Sequence, residues 1–571
     1  MVVKSTRPST KDENPVLFEA FEWNLPVDHK HWSRLRQALP ALHDIGITDL
    51  WLPPGSKGKD AKSNGYDIYD TYDLGEFDQK GTVPTKWGTK DDLVALARSA
   101  KTLGMGLVWD AIHNHRAFAD ETETVAVVEV DPRDRRVEIS ETYNITAWSK
   151  FNYTKRRGKY STFQYNQSHF NGTDWNQDNK KRSIYRFAGK TWAPDVGKLQ
   201  GNADYLMLEN LDYSNPELVE EVNQWGEWIT NELDLKGFRL DAVQHYSWNF
   251  ANDWSSYLRK KCGSDLLIMG EFWHGDVRVL NDWLRNMNPY FKLYDVPLLY
   301  NIARLSWFQS PDLRKVFEKT LVSERPNQAV TFIRCHDTQR GQDMDTPIHR
   351  AFTPHAYSLL LLRDTGHPCV FFGDLYGLEA PYPEPPTCFG RLPGLVLARK
   401  MYAHGTQTDY FHASDCIGWV RHGNGQMPNG MAVVLSWTQE VQNAKANPCL
   451  EMHVGKEHAG EIWTDLLGFE LGAVLIEMGG VGRFVCQLNG IACFVNEAAP
   501  GRERFPVNFD AVFMSSLAAD GVEELGNGLH GLDVFNSHVN GDSDHPKNEE
   551  YADRYKNGSD GNTSSYYGKG L

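Results

Sequence analysis

Apolar residues along the chain fall into short runs rich in β-branched and aromatic side chains. Longer stretches with apolar positions every three or four residues separate them. The runs are ITDLWLPP (47–54), MGLVWDAIHNH (105–115), LKGFRLDAV (235–243), LLIMGE (266–271), AVTFIRCHD (329–337) and PCVFFGD (368–374). Continuous apolar runs of this length fit strands buried on both faces, and their alternation with helical spacing predicts a parallel sheet. Val222, Trp225, Ile229 and Leu233 show that spacing just ahead of GFRLDAV. An eightfold β/α barrel is the economical architecture for such an alternation, at about 250 residues for the barrel itself.

Two stretches break the pattern. Residues 118–208 are polar and rich in Tyr and Asn without a helical period, which predicts an irregular β-rich insertion after the third strand. Residues 406–498 carry the short runs CIGWVRHG, GMAVVLSW, RFVCQLNG and IACFVNE, which predict a small antiparallel β-sandwich domain. The barrel is then assembled from 1–117 and 209–405. Residues 499–571 drift into Gly, Asn, Asp and Ser, and a segment with so little apolar area to bury is expected to be a disordered polar tail. No internal repeat is visible.

Composition narrows the function. Lys and Arg number 59 against 75 Asp and Glu, and a net charge of −16 argues against nucleic acid as a partner. The 18 Trp and 24 Tyr suit stacking on flat rings as well as core packing. The N-terminus MVVKSTRPSTKDENPVLFEAFEW has no apolar h-region and no run of 18 apolar residues occurs, so a cytoplasmic, soluble protein without a membrane partner is expected. The eight cysteines lack zinc-finger or CxxC spacing, which points to reduced thiols. The sequons at Asn144 and Asn171 would matter only in a secreted chain.

The candidate chemistry sits where strands end, the face on which barrels carry their reactive groups. Four strand ends bear charged or imidazole side chains: Asp110, Asn114 and His115; Arg239, Asp241 and His245; Glu271; and His336 with Asp337. One carboxylate at a strand end is ordinarily a solvated turn or cap. Four such ends in order imply a site. Arg239 and Asp241, two residues apart on a strand, share a face. Three converging carboxyls supply a nucleophile and a proton donor, with Arg239 keeping one ionised while crowding raises another, the division of labour of glycosidic-bond cleavage.

The segments DAIHNH, GFRLDAVQH, MGEFW and FIRCHD resemble the four signature segments of the alpha-amylase family of glycoside hydrolases (family 13). The stretch FEAFEWNLPVDHKHWSRL…GYDIYDTYDLGEFDQKGTVPTKWGT is similar to liquefying-type bacterial amylases and their intracellular fungal relatives, and the likeness spans roughly 15–495. It implies a (β/α)8 TIM barrel with the inserted and C-terminal β domains, acting as a monomer on α-1,4-glucan or maltooligosaccharides. It further implies Asp241 as the nucleophile, Glu271 as the general acid and base, and Asp337 as stabiliser of the distorted sugar. Arg239 would orient Asp241, Tyr66 would stack on the sugar, and His115, His336, Gln244 and His245 would contact it.

Three departures qualify the resemblance. The family's structural calcium would draw on Asn114, Asp204, residue 210 and the carbonyl of His245, yet Asn210 stands where a carboxylate is usual, with Asn171 and Ala193 at two further cluster positions. Calcium needs hard anionic oxygens. A multi-ion cluster is therefore expected to be absent and any single calcium site weak. Cys335 replaces the usual Asn before His–Asp, and a buried thiol cannot reproduce an amide's hydrogen bonds. Gln244 replaces a frequent Lys on the product side. Two other functions stay open: a 4-α-glucanotransferase using the same three carboxylates, as in cell-wall α-glucan synthesis, and a catalytically weak glucan-binding protein.

Overall fold

The computed structural model describes residues 14–308, 311–438 and 447–514. Eight parallel strands close into a barrel: β1 (Leu17–Glu19), β2 (Asp49–Leu52), β3 (Gly106–Ala111), β4 (Gly237–Leu240), β5 (Leu267–Gly270), β6 (Phe291–Tyr294), β7 (Ala329–Thr331) and β8 (His367–Phe371). Each strand pairs with its successor in the chain, and β8 returns to β1. Six of the eight coincide with the apolar runs. β1 and β6 escape that pattern because the first is three residues long and the second, FKLY, carries a lysine among flanking polar residues.

Helices pack outside the barrel. Pro216–Leu233 opens on Asn215, whose side chain accepts from the Glu217 amide, and it buries Leu218, Val222, Trp225, Ile229 and Leu233, the predicted stripe. Phe238 of β4 packs on Trp225 and Trp254 of two such helices, at ring distances of 6.4 and 5.0 Å. Arg239, on the opposite face of β4, therefore points into the barrel, beside Asp110 in the register with β3.

Between β3 and the helix before β4, residues from His115 to Leu211 build an antiparallel sheet with Glu121–Asp131 and Phe170–Asn176 among its strands. After the barrel, Gln407–Tyr410, Cys416–Arg421, Met431–Ser436, Ile491–Asn496, Ile462–Asp465 and Ala473–Leu475 form a six-stranded antiparallel sheet, with Cys449–His453 and Val481–Val485 paired separately.

The expected polar tail begins too early. Residues 499–514 lie back on the barrel: Tyr402 donates to the Pro500 carbonyl at 2.8 Å, Arg504 pairs with Asp44 at 2.7 Å, and Phe509 packs against Tyr376 at 5.5 Å. Scattered aromatic anchors order a segment whose average composition is polar. The remainder, 515–571, lies outside the described residues. All eight cysteines are free thiols, and among the described residues no helix is long and apolar enough to cross a membrane.

Candidate active site

Arg239 organises the centre of the barrel mouth. From Nη1 it donates to Asp110 Oδ1 (2.8 Å) and Asp241 Oδ1 (2.6 Å), and from Nη2 to Glu271 Oε2 (2.8 Å). The arginine is 1% exposed, so these charge-assisted bonds act with little competition from water. Asp110 is fixed in turn by Trp51 Nε1 at 3.0 Å and Tyr66 OH at 2.9 Å. Immediately after Asp241 the chain turns through Ala242 in a left-handed conformation (φ 46°), unusual for alanine. The turn points the Ala242 amide at Glu271 Oε2, 3.1 Å away.

Glu271 thus receives two hydrogen bonds on one oxygen. Burial raises its pKa to about 8; Arg239 pulls it down, and the like charges of Asp241 and Asp337 push it up. Raised in this way, Glu271 is suited to hold a proton at neutral pH. For His336, burial opposes the charge, yet Asp337 at 3.2 Å and Glu19 at 2.7 Å hold its imidazolium well above the usual histidine range. The same pairing keeps Asp337 below its ordinary value although burial works the other way.

Flat rings flank these charges. Tyr66 stacks on His336 at 5.2 Å, and Trp23 stacks on both Tyr66 (5.8 Å) and His336 (5.9 Å). His115 Nε2 meets the Tyr66 carbonyl at 2.8 Å. A small cavity is lined by Glu19, Arg239, Glu271, Arg334, Cys335 and Asp337 among others.

The structure therefore gathers Asp241, Glu271, Asp337, Arg239, His336, Tyr66 and His115. Gln244 and His245 go elsewhere. The Ala242 turn feeds a short 3-10 helix (Val243–His245) that tucks both under the insertion: the Gln244 carbonyl accepts from Gly197 at 2.8 Å, and His245 Nδ1 meets the Ala203 carbonyl at 2.6 Å. Both residues are buried there, at 1% and 3% exposure.

A model of the alpha amylase catalytic domain matches residues 31–384. The chain is 40% identical over 485 residues to an alpha-amylase of Bacillus licheniformis, covering 84% of this chain and 93% of that protein. The chain belongs to the alpha-amylase family. To this alpha-amylase chain the cytoplasmic alpha-amylase of Escherichia coli (strain K12) is similar as well, 34% identical over 498 residues, 85% of this chain and 99% of that one. Among solved structures, an Anoxybacillus alpha-amylase superposes with a TM-score of 0.55 at 17% identity, covering 86% of this chain and 98% of that one. These matches make the protein a glycoside hydrolase.

The residues that would hold an amylase-type calcium are already bonded to one another. Asn114 Nδ2 donates to the His245 carbonyl (2.8 Å) and Asn210 Oδ1 (3.2 Å), Asn210 Nδ2 donates to Asn171 Oδ1 (2.8 Å), and Asn171 Nδ2 donates to Asp204 Oδ2 (2.8 Å). Ala193 has no carboxylate to offer; its amide donates to Asp204 Oδ2 at 2.9 Å and its carbonyl accepts from Asn202 at 2.8 Å. Amide hydrogens fill the space where a cation needs oxygen lone pairs, and Asp204 is the one carboxylate of the set. This donor set does not fit a resident calcium.

Glu19, Glu22 and Gln339 also contribute, and the motifs did not single them out. Glu19, fully buried on β1, fixes His336 through its ring and its amide (2.7 and 3.1 Å), and Gln339 links Glu22 (2.8 Å) to the Trp23 amide (3.0 Å). Glu19 and Glu22 stand out in the sequence as a pair of glutamates inside the apolar run VLFEAFEW. Cys335 is 7% exposed; its backbone amide donates to Thr338 Oγ1 at 2.9 Å, and its sulfur lies 3.7 Å from that oxygen. The loop turn thus rests on backbone and Thr338, and His336 on Glu19.

Proposed function

We propose that the protein is an intracellular, retaining, endo-acting hydrolase of α-1,4-glucans or maltooligosaccharides. The observation that carries this reading is the single Arg239 guanidinium holding Asp241 on one nitrogen and Glu271 on the other. Two carboxyls tied to one guanidinium favour the close spacing of retaining enzymes, about 5–5.5 Å, over the wider gap that admits a water between them. Asp241 attacks the anomeric carbon while Glu271 gives its proton to the leaving oxygen. The ring oxygen's developing positive charge is stabilised by Asp337, with His336, His115 and Tyr66 around the same sugar. Glu271, now ionised, takes a proton from water as the water displaces Asp241 and releases the product. Similarity to the Escherichia coli cytoplasmic alpha-amylase supports the intracellular assignment.

The amide chain among Asn114, Asn210, Asn171 and Asp204 supports a second part of the reading: the contact between barrel and insertion closes without calcium. Purified protein incubated with amylose, glycogen and maltooligosaccharides, with products resolved by length, tests the activity. Shorter products with new reducing ends are expected. Products longer than the substrate would make the enzyme a transferase, and binding without turnover would leave a glucan-binding protein.

A further inference from the structure

The loops after β7 and β8 are joined by contacts that the chemistry above does not use. Arg334, three residues before Asp337, lines the cavity shared with Glu271 and Asp337, yet its Nη1 donates across to Asp374 Oδ1 (3.2 Å) and Glu384 Oε2 (2.9 Å). Asp374 is 2% exposed and is braced from behind by Tyr357 OH at 2.6 Å. Leu378 and Glu384 close on each other as an antiparallel bridge, leaving the segment 379–383, Glu-Ala-Pro-Tyr-Pro, as a tight tip. At that tip Tyr382 is 42% exposed.

This ring is not loose. One edge rests on Gly341 of the β7 loop, where a Cβ would fall 2.1 Å from the ring and where φ is +88°, so glycine is required on both counts. The Arg340 guanidinium stands 5.8 Å from the ring centroid. Proline on either side removes backbone freedom that would otherwise be lost on binding. A large aromatic ring is thus held in place and left open to solvent, on a loop clamped to Arg334 of the cavity wall. Its neighbours Arg340 and Gly341 belong to the loop that carries Asp337.

We propose that Tyr382 is a stacking platform for an outer glucose unit of the bound α-glucan. Arg334 is the positioning residue that fastens this platform and the Asp337 loop into one wall. The inference rests on the reading of the protein as an α-glucan hydrolase. A glucose ring offers an apolar C–H face to an aromatic side chain, and the fixed tip orients that contact without further ordering.

The test compares maltooligosaccharides from three to eight glucose units with the full-length protein. Tyr382→Ala is expected to raise KM for the longer substrates by about 2- to 10-fold, leave the shortest unaffected and shift the product lengths, while Tyr382→Phe behaves as wild type. Arg334→Lys is expected to lower kcat on short substrates with little change in KM, and to raise KM on long ones. Glu384→Gln, a milder cut in the same clamp, is expected to raise KM on long substrates only. Unchanged KM and products at every length in Tyr382→Ala would overturn the platform. Arg334→Lys or Glu384→Gln changing only the melting temperature would overturn the positioning role. Absence of hydrolysis by wild type would instead refute the functional reading beneath both.

Discussion

Replacing Asn210 by aspartate puts the metal-free interface to a quantitative test. Asn210 is 1% exposed; it donates to Asn171 Oδ1 at 2.8 Å and accepts from Asn114 at 3.2 Å. In Asn210→Asp the donor disappears, leaving a buried amide oxygen unsatisfied at a cost of about 1–3 kcal/mol. The new carboxylate also shares the pocket with Asp204 and no cation, which brings the total to roughly 3–5 kcal/mol. The same change restores a second anionic oxygen, so calcium at a hundredfold excess over its Kd returns about 2.7 kcal/mol. Thermal melts at a fixed scan rate, in chelator and in millimolar calcium, read both effects. Wild type is expected to melt at one temperature in both buffers. Asn210→Asp is expected to melt at least about 5 °C lower in chelator and to recover part of the loss in calcium. A wild type that falls in chelator, or that purifies with stoichiometric calcium by elemental analysis, would refute the reasoning. So would a folded Asn210→Asp variant indifferent to calcium.

Other outcomes follow from the same geometry. His113 sits at 1% exposure among Trp225, Tyr246, Phe250 and Trp254, and burial, with Arg116 adding to it, lowers its pKa to about 3. A depressed histidine contributes stability that is complete above the unfolded value near 6.5 and is lost as pH falls towards 3. At pH 5 the loss is about 2 kcal/mol, so His113→Leu should flatten the decline in denaturant stability between pH 7 and 5; an unchanged slope would contradict this. Glu271 must be protonated to act, so with its pKa raised to about 8 in the free enzyme the alkaline limb of kcat/KM should fall near pH 8, and a profile flat to pH 10 would remove it as the acid. Arg239→Lys offers a single point charge where three carboxyl groups share a fork, and kcat should drop by at least about a hundredfold. Cys335→Asn should leave kcat/KM unchanged within error, because His336 is held by Glu19.

Much of the barrel was legible because parallel strands buried on both faces announce themselves as continuous apolar runs. β1 and β6 were not, being too short or too polar to stand out. The charged strand ends were equally visible, since an arginine and three carboxyls in apolar surroundings have few structural explanations. What the chain does after Asp241 was hidden. A left-handed alanine leaves no mark in the sequence, yet it sends Gln244 and His245 under the insertion. The loss of carboxylates at 171, 193 and 210 could be read residue by residue, whereas the head-to-tail amide chain that replaces them depends on side chains up to 96 positions apart in sequence. Tail composition misled for a related reason: a few aromatic contacts order 499–514, and averages conceal them.

The central claim is retaining cleavage by Asp241 with Glu271 as proton donor, and proton NMR of the first product formed from a maltooligosaccharide tests it most directly. New reducing ends are expected to appear first as the α-anomer and only later to equilibrate. Asp241→Asn and Glu271→Gln are expected to lose this signal while still binding the substrate. Initial release of the β-anomer, or undiminished turnover in Asp241→Asn, would contradict the claim.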